Sequence, residues 1–484
     1  MSEKKSLKLN FIMNAMLTMS SFLFPLISAP YIYRVLQAEG KGKVTFATSL
    51  VAYFLMLARL GIPTYGVRAC AKVRDDKHAL SKTAHELLII NLLMSLVSYG
   101  LLFLALVFVP QLREDRVLYL VVSLTIIFDT IGMEWLYKAL EQYSYIAIRS
   151  MIFKLVALVG MFLLVKSKDD YVIYGGLTIL AASASSVFNF FHARKYISMR
   201  PMGGYKLSPH IKAVAIFFAM TCASTVYTNL DTVMLGFMRG ETVVGYYDAA
   251  VKIKSILVSI VTSLGVVLLP RASYYVERGL MEEFRSISRK ALNFVFVAAL
   301  PMMLYFMLFA KQGILLLSGE GYDPAVSAMQ IIMPTLLFIG LSNILGIQIL
   351  VPMGKEKVVL WSLILGAVVD VIINILLIPG YGAAGAAAGT MVAEFAVLVY
   401  QFVVLRKEVW PSFRKISYWK LILALVVATA ASIWVLWLDL GLLVTLILSA
   451  ALFFGCYGAM LLILKENMTA ELLKQILGKF LKKK

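Results

Sequence analysis

Long apolar runs alternate with short polar connections along almost the whole chain. The runs hold about 20 residues or more, which is the length that an α-helix needs to cross a hydrocarbon layer of about 30 Å. Stretches of about ten residues that alternate apolar and polar positions, typical of membrane barrels, are absent from the sequence. The pattern predicts an all-α integral membrane protein with about fourteen transmembrane helices, at 10–36, 44–67, 83–109, 117–139, 145–165, 171–192, 213–238, 243–269, 291–311, 325–350, 358–378, 383–405, 418–438 and 441–464.

The longest polar break inside the chain, residues 194–212, separates the sixth predicted helix from the seventh. Prolines and a Gly203-Gly204 pair interrupt this charged stretch, and such breakers are typical of a linker. We therefore expect two six-helix lobes around a central cavity, followed by a final helix pair. The predicted divisions are an N-terminal lobe at 1–196, a cytoplasmic linker at 197–212, a C-terminal lobe at 213–408, helices 13 and 14 at 409–465 and a cytoplasmic tail at 466–484.

The tail has apolar residues on one helical face and lysines beside that face or beyond its end. The apolar positions are Leu472, Leu473, Ile476, Leu477 and Phe480. This pattern favours a basic amphipathic helix on the anionic cytoplasmic surface of the membrane. A solvated tail without fixed structure is the alternative.

The charges of the connections predict the orientation of the chain. Alternate connections are basic, at 68–82, 194–212, 271–290 and 406–420, and both ends of the chain are basic too. The intervening connections carry little net charge. Because basic connections stay in the cytoplasm, we expect a multi-pass membrane protein with both termini cytoplasmic.

Composition supports the membrane class: 61% of the residues are hydrophobic and 15% are charged. Soluble domains average about 45–50% apolar and about 25% charged residues. The net charge of +19 could indicate a nucleic-acid partner, but the basic residues lie in the short connections, so we expect no nucleic acid. The three cysteines are too few and too widely spaced to predict a disulfide framework or a zinc site.

Two stretches of the chain, 31–59 and 227–254, repeat one order of features. Each has an apolar segment, a turn with an acidic residue and glycine, small polar residues and then a cation inside the next segment. Gly42-x-x-x-x-Ala47 in the first corresponds to Gly245-x-x-x-x-Ala250 in the second. The repeat predicts two halves with a shared plan, whose outer turns at 39–43 and 239–245 approach each other when the outside is closed.

Polar residues recur at helical spacing on several predicted helices. A stripe of this kind has two explanations, hydrogen bonds between helices or the wall of a water-filled cavity. The ionisable residues in both halves favour a cavity. Its expected polar lining includes Asn14, Ser28, Asn229 and Asn374. The carboxylates Asp231, Asp248, Asp370 and Glu394 are predicted to set ion coupling or a conformational switch.

Five cations at different predicted depths form the candidate substrate site. They are Arg59, Lys252, Lys154, Arg34 and Lys254. A series of cations across the membrane suits an anionic head group that moves between its faces, and arginine binds phosphate oxygens through two N–H bonds. Alternatives remain for two of them, since Arg34 could extend to the outer interface and Lys252 could pair with Asp248 four residues earlier.

Motifs of common enzyme sites are missing from the sequence. There is no GxxxxGK[ST] motif and no HExxH motif, so we predict neither an ATP site of that type nor a cofactor or metal site. The glycines from Gly380 to Gly389 are better explained by close helix packing than by a phosphate loop. Glu134 has Lys138 four residues later, which favours an ion pair over a carboxylate pair with Asp129. We therefore predict no enzyme activity.

Several short motifs resemble one known family across nearly the whole chain. They are Tyr31-x-x-Arg34-Val-Leu, Glu39-Gly40-x-Gly42, Gly61-Ile-Pro63 with Arg68, Asn229-x-Asp231 with Gly236, Gly245-Tyr246-Tyr247 with Ala250 and Lys252, and Pro379-x-Tyr381-Gly382-x-x-Gly385-Ala-Ala. Their order and spacing are similar to the Wzx-type polysaccharide flippases of the multidrug/oligosaccharidyl-lipid/polysaccharide exporter superfamily. Many members have twelve helices, so the predicted fourteen depart from the common pattern.

The resemblance implies a flippase that moves an undecaprenyl-pyrophosphate-linked oligosaccharide from the inner to the outer leaflet by alternating access. The implied partners are this lipid-linked oligosaccharide, membrane lipid, Na+ or H+ as the coupling ion, and glycan polymerase or synthesis proteins. A cation-coupled small-molecule or multidrug exporter of the same superfamily is the first alternative. A non-transporting scaffold of a glycan-assembly complex is the second.

Overall fold

The computed structural model describes residues 7–438, 440–466 and 469, and among these residues it contains helices and no strands. The side chains of several residues between 7 and 22 are outside that description. The α-helices are α1 (Leu7–Arg59), α2 (Ile62–Lys72), α3 (Lys77–Phe108), α4 (Pro110–Arg113), α5 (Arg116–Gly132), α6 (Glu134–Ala139), α7 (Tyr143–Leu164), α8 (Tyr171–Ala182), α9 (Val187–Ala193), α10 (Ser208–Arg239), α11 (Glu241–Glu277), α12 (Met281–Leu308), α13 (Ala310–Ser318), α14 (Asp323–Ile332), α15 (Thr335–Asn343), α16 (Glu356–Tyr381), α17 (Ala383–Val404), α18 (Arg406–Phe413), α19 (Tyr418–Ile433) and α20 (Leu442–Ile463).

Shorter helical turns complete the described chain. They are 3₁₀ turns at Lys168–Asp170, Ala184–Ser186 and Trp434–Trp437, and a π-helix at Ile344–Leu350. By length and composition, the described residues contain 10 helices able to cross a membrane, or up to 12 if each of two bent pairs is one span. The all-α membrane class is thereby confirmed. The number fourteen stays a prediction.

The first turn of the chain lies earlier than the sequence suggested. Helix α1 runs through the expected turn at 39–43 and breaks at one residue, Gln37, whose φ of 58° is left-handed. Residues 38–59 then continue as helix, because Gly40 and Gly42 allow close packing there rather than a loop. The prediction of a turn at 39–43 was therefore wrong by a few residues. The matching turn between α10 and α11 lies where it was predicted, at Gly240, which has a φ of 82°.

Contacts divide the chain into two compact units, Met1–Gly245 and Tyr246–Lys484. Helix α10, which follows the linker, packs with the first unit and contacts α1 and α2. The lobes predicted from the sequence, with their joint at 197–212, remain a prediction about which helices move together.

The linker is held along α3 by hydrogen bonds. The amide N–H of Ser198 donates to Ser81 Oγ at 2.9 Å, and the amide N–H of Lys206 donates to the buried Glu86 Oε1 at 2.7 Å. His210 Nε2 lies 2.9 Å from Glu86 Oε2. Buried carboxylates are normally satisfied by such partners, so these bonds fix the path of the linker.

The centre of the linker has fewer constraints. Gly203 and Gly204 both have left-handed backbone, with φ of 71° and 61°. A Cβ at Gly203 would meet no atom within 4 Å, and one at Gly204 would meet only Lys82 Nζ at 3.9 Å. The paired glycines therefore form an open bend between two held ends.

In the second unit, glycine brings α16 and α17 together. A Cβ at Gly385 would lie 2.5 Å from the carbonyl oxygen of Leu377, and one at Gly389 would lie 3.0 Å from Asp370 Oδ1. Both distances are too short for any larger residue. The prediction that these glycines serve close helix packing is confirmed.

The final helix pair packs on α12 through buried polar groups. Tyr457 OH on α20 donates to the carbonyl oxygen of Val297 at 3.1 Å. After α20, Glu466 is buried and accepts from Asn293 Nδ2 at 2.8 Å and from the amide of Thr469 at 2.9 Å. The predicted amphipathic helix over the tail falls on residues that are outside the described part of the chain.

Candidate functional site

Arg59 forms a two-point ion pair with Asp129 in the first unit. Its Nε donates to Asp129 Oδ2 at 2.9 Å and its Nη2 donates to Asp129 Oδ1. Arg59 is the last residue of α1, where a cation is favoured by the helix dipole, and Asp129 lies one turn before the end of α5. The side chains remain 38% and 26% exposed, so the pair is open to a ligand.

Further charges gather around this pair. Glu134 pairs with Lys138 at 2.8 Å, which confirms the ion pair predicted from their spacing. The negative charge of Glu134 also acts on Arg59 and on Lys154. Lys154 Nζ donates to Ser20 Oγ at 2.9 Å and so lies between α7 and α1. Two of the predicted substrate cations, Arg59 and Lys154, therefore belong to one group.

Arg149, which is not among the predicted site residues, belongs to the same group. It lies on α7, five residues before Lys154, and Glu134 acts on its charge as well. Its side chain is buried, and its guanidinium carbon is 5.5 Å from the ring centre of Tyr145. A third arginine or lysine in one region strengthens the attraction for an anion. Its position inside a predicted span was the signal that could have identified it.

The polar stripe of α3 holds the helices that carry Arg59 and Asp129. Asn91 Nδ2 donates to the carbonyl oxygen of Ala58 at 2.8 Å, and Ser98 Oγ donates to that of Phe54 at 2.9 Å. Ser95 Oγ lies 2.7 Å from Thr130 Oγ1, next to Asp129. This stripe therefore serves hydrogen bonding between helices, the alternative to a cavity wall.

The other end of the first unit closes by contact between glycines. A Cβ at Gly42 would lie 2.9 Å from the amide nitrogen of Gly245 and would overlap the carbonyl of Glu241. A Cβ at Gly245 would likewise overlap the backbone of Ala38. These two segments are therefore in backbone contact, and their role in closing the outside stays a prediction. Beside them, Lys43 pairs with Asp115 at 3.0 Å, and Tyr171 OH donates to the same carboxylate at 2.6 Å.

Two predicted carboxylates of the second unit lie in a polar layer between helices. Asp370 and Asn374 on α16 are buried, and both face Gly389 on α17. The next residue, Thr390, lies 2.8 Å from Tyr247 OH on α11. Glu394, also buried, is one turn further along α17. Three helices thus meet at a layer of buried oxygen atoms.

The remaining predicted residues are less closely grouped. Arg34 Nη1 donates to the carbonyl oxygen of Pro30 at 2.7 Å, on its own helix. Ser28 and Asn229 bond to carbonyl oxygens of their own helices, at 3.4 and 3.0 Å. Asp231 is buried in the first unit. The side chain of Asn14 is outside the described part of the chain.

The cations of α11 belong to the second unit. Asp248, Lys252 and Lys254 are all half-buried there. Burial raises the pKa of Tyr322, which lies just before α14, and the negative charge of Asp248 raises it further. The pairing of Lys252 with Asp248 stays a prediction.

Two protein families match the sequence. Residues 7–276, more than half of the chain, match the family described as "Polysaccharide biosynthesis protein". Residues 216–376 match the family described as "MatE".

Two bacterial relatives match most of the chain. The "Putative O-antigen transporter" of Escherichia coli (strain K12) is 24% identical over 361 residues, 74% of this chain and 86% of that protein. The "Putative O-antigen transporter" of Shigella dysenteriae is 25% identical over 402 residues, 82% of this chain and 98% of that protein.

Solved structures of two transporters share the fold. A lipid II flippase MurJ in an inward closed conformation has a TM-score of 0.70 and 15% identity, and covers 94% of this chain and 100% of that one. An outward-facing multidrug resistance transporter of the MATE family has a TM-score of 0.55 and 15% identity, and covers 84% and 95%. The chain belongs to the polysaccharide biosynthesis protein family, the Wzx-type flippase branch of the multidrug/oligosaccharidyl-lipid/polysaccharide exporter superfamily.

Proposed function

We propose that this protein moves an undecaprenyl-pyrophosphate-linked oligosaccharide from the inner to the outer leaflet of a bacterial plasma membrane. The observation that carries the proposal is the cationic group of the first unit, where Arg59 is held by Asp129 yet 38% exposed and Arg149 and Lys154 lie five residues apart on α7. Cations outnumber carboxylates there, as an anionic pyrophosphate requires. Two relatives are named putative O-antigen transporters, and a solved structure with this fold is a lipid II flippase, which supports the proposal.

The substrate would bind by exchange of ionic partners. Arg59 is held by Asp129 in this state, and a pyrophosphate oxygen would replace one or both carboxylate oxygens on the guanidinium. Lys154 would supply a second charge in place of its bond to Ser20. Lys252, Lys254 and Arg34 are proposed to contact the pyrophosphate at other stages of transport.

Movement by alternating access is part of the proposal, because the sequence has no ATP-binding motif and another source must drive the change. The buried carboxylates Asp370 and Glu394, with Asp231 and Asp248, would bind Na+ or H+ and favour one arrangement of the helices. The glycine contact at Gly42 and Gly245 would close one side of the path.

Reconstitution provides the test. The purified protein would be placed in vesicles with an undecaprenyl-pyrophosphate oligosaccharide on one leaflet, and a membrane-impermeant glycosidase would report the sugars that reach the other leaflet. We expect the sugars to reach the other leaflet faster than in empty vesicles, and this rate should depend on a Na+ or H+ gradient. Efflux of a cationic dye without movement of the lipid would instead indicate a small-molecule exporter. If the protein moves neither the lipid nor the dye, but deletion of its gene abolishes glycan assembly, the protein would be a scaffold.

A further inference from the structure

The guanidinium of Arg149 is buried while part of its hydrogen-bonding capacity is unused. The residue is only 8% exposed, and its Nε and Nη1 have no hydrogen-bond partner within the described part of the chain. Buried charged groups are normally paired and hydrogen-bonded, because an unpaired one is costly. Two N–H bonds in the interior therefore need an acceptor that the surrounding residues do not provide.

Among the residues that the structure describes, no neighbouring carboxylate supplies that acceptor. Glu134 acts on the charge of Arg149 but pairs with Lys138. Arg149 differs in this respect from Arg59, whose guanidinium is already engaged by Asp129. An anion can bind Arg149 without first breaking an ion pair.

Aromatic rings hold Arg149 in place. Its guanidinium lies over Tyr145, and the Tyr145 ring stacks on His192 with centres 4.2 Å apart and planes at 20°. Tyr137 stacks on both rings, at 5.3 and 5.8 Å. Such packing lowers the entropy lost when a ligand binds, since the arginine is already ordered.

His192 adds a second unused group. Its Nδ1 is buried without a hydrogen-bond partner within the described residues, and the charge of Arg149 acts on this ring. Two side chains with buried, unused polar atoms thus lie beside one ring, that of Tyr145.

We infer that Arg149, with His192 and the Tyr145 ring, forms a binding site for the phosphoryl group of a membrane lipid. A guanidinium can donate several N–H bonds to phosphoryl oxygens, and the Nε and Nη1 of Arg149 have no partner within the described residues. His192 lies just before the basic connection 194–212, which places the site near the predicted cytoplasmic surface, where lipid phosphates lie. The lipid is either an ordinary anionic phospholipid or the pyrophosphate-linked carrier, and the second case rests on the proposed function.

Thermal unfolding of the purified protein in detergent tests the site. The midpoint would be followed during titration with farnesyl pyrophosphate and, separately, with short-chain phosphatidylglycerol. Arg149→Gln should raise the half-saturating concentration of at least one lipid about tenfold or more. Arg149→Lys should have a smaller effect, because an ammonium keeps the charge and loses the paired N–H bonds.

Arg74→Gln is the matched control, since Arg74 is exposed and pairs with Glu141 at 2.9 Å. It should leave both titrations unchanged. A loss confined to phosphatidylglycerol would identify a phospholipid site, and a loss confined to farnesyl pyrophosphate would identify the carrier. The inference is overturned if neither lipid shifts the unfolding midpoint of the native protein. It is also overturned if Arg149→Gln and Arg149→Lys bind both lipids as tightly as the native protein does.

Because the readout is binding, it separates this site from the proposed transport. If the Arg149→Gln protein exports glycan normally but no longer binds phosphatidylglycerol, then Arg149 binds a lipid but takes no part in transport. If the native protein shows no gradient-driven flipping, the proposed flippase activity is refuted. The lipid titrations still test the Arg149 site.

Discussion

Arg59 and Asp129, seventy residues apart in the chain, form an ion pair through two hydrogen bonds across the ends of α1 and α5. The guanidinium is thereby held in a fixed orientation while 38% of the side chain stays exposed. A residue held in this way can serve stability, substrate binding or both. Exchange of the two charges distinguishes these roles.

Arg59→Ala should lower glycan export about tenfold or more, because it removes the cation proposed to bind pyrophosphate. Arg59→Lys should restore part of the activity. The double variant Arg59→Asp, Asp129→Arg keeps an ion pair but moves the cation to another helix, so we expect normal protein amount and low export. Export would be measured as surface glycan in a strain that lacks the native gene. Full export by the exchanged pair would assign Arg59 a purely structural role.

The carboxylates of the second unit should control coupling rather than affinity. Asp370→Asn and Glu394→Gln keep the size of the side chain and remove the charge, so flipping should lose its dependence on Na+ or pH while pyrophosphate still binds. Asp231→Asn and Asp248→Asn are expected to behave similarly. The exposed Asp323 provides the control, and Asp323→Asn should change nothing. Unaltered gradient dependence in all four variants would contradict the assignment.

Gly42→Ala should weaken the contact with Glu241 and Gly245, because the added methyl group overlaps the Glu241 backbone. We expect slower export and faster labelling of a cysteine placed near Gly240 by a membrane-impermeant thiol reagent. Gly100→Ala is the control, since a Cβ there meets no atom within 4 Å. Equal labelling of the two alanine variants would show that the glycine contact does not close the path.

Glu86→Ala should release the linker from α3. It removes the acceptor of the Lys206 amide and the partner of His210, and loss of such buried bonds costs about 1–3 kcal/mol. Trypsin should therefore cleave after Lys206 about tenfold faster, as followed by gel electrophoresis of the purified protein. Glu141→Ala removes an exposed carboxylate from the same side of the unit and should leave the cleavage rate unchanged.

Features that depend on residues close in sequence could be predicted. The apolar runs predicted the helices, and the Arg239-Gly240-Glu241 triplet predicted the turn between α10 and α11. The four-residue spacing of Glu134 and Lys138 predicted their ion pair. Each of these follows from helical periodicity or from the backbone freedom of one glycine.

Features that depend on residues far apart in the sequence could not be predicted. Nothing in the local pattern indicates that Asp129 lies opposite Arg59, or that the ring of His192 stacks on Tyr145 beside Arg149. The linker was predicted from its glycines and prolines, which say nothing about how it packs. Its docking depends instead on Glu86, a carboxylate within a helix more than a hundred residues earlier.

The bend at Gly203 and Gly204 offers a place to attach a probe. Both residues face open space, while hydrogen bonds at Ser198 and Lys206 hold the chain on either side. A short epitope or a fluorophore-binding peptide inserted between the two glycines would protrude without pulling on α9 or α10. The same insertion placed four residues later would displace His210 from Glu86. A single label can thus be attached there while the helices on either side stay as they are.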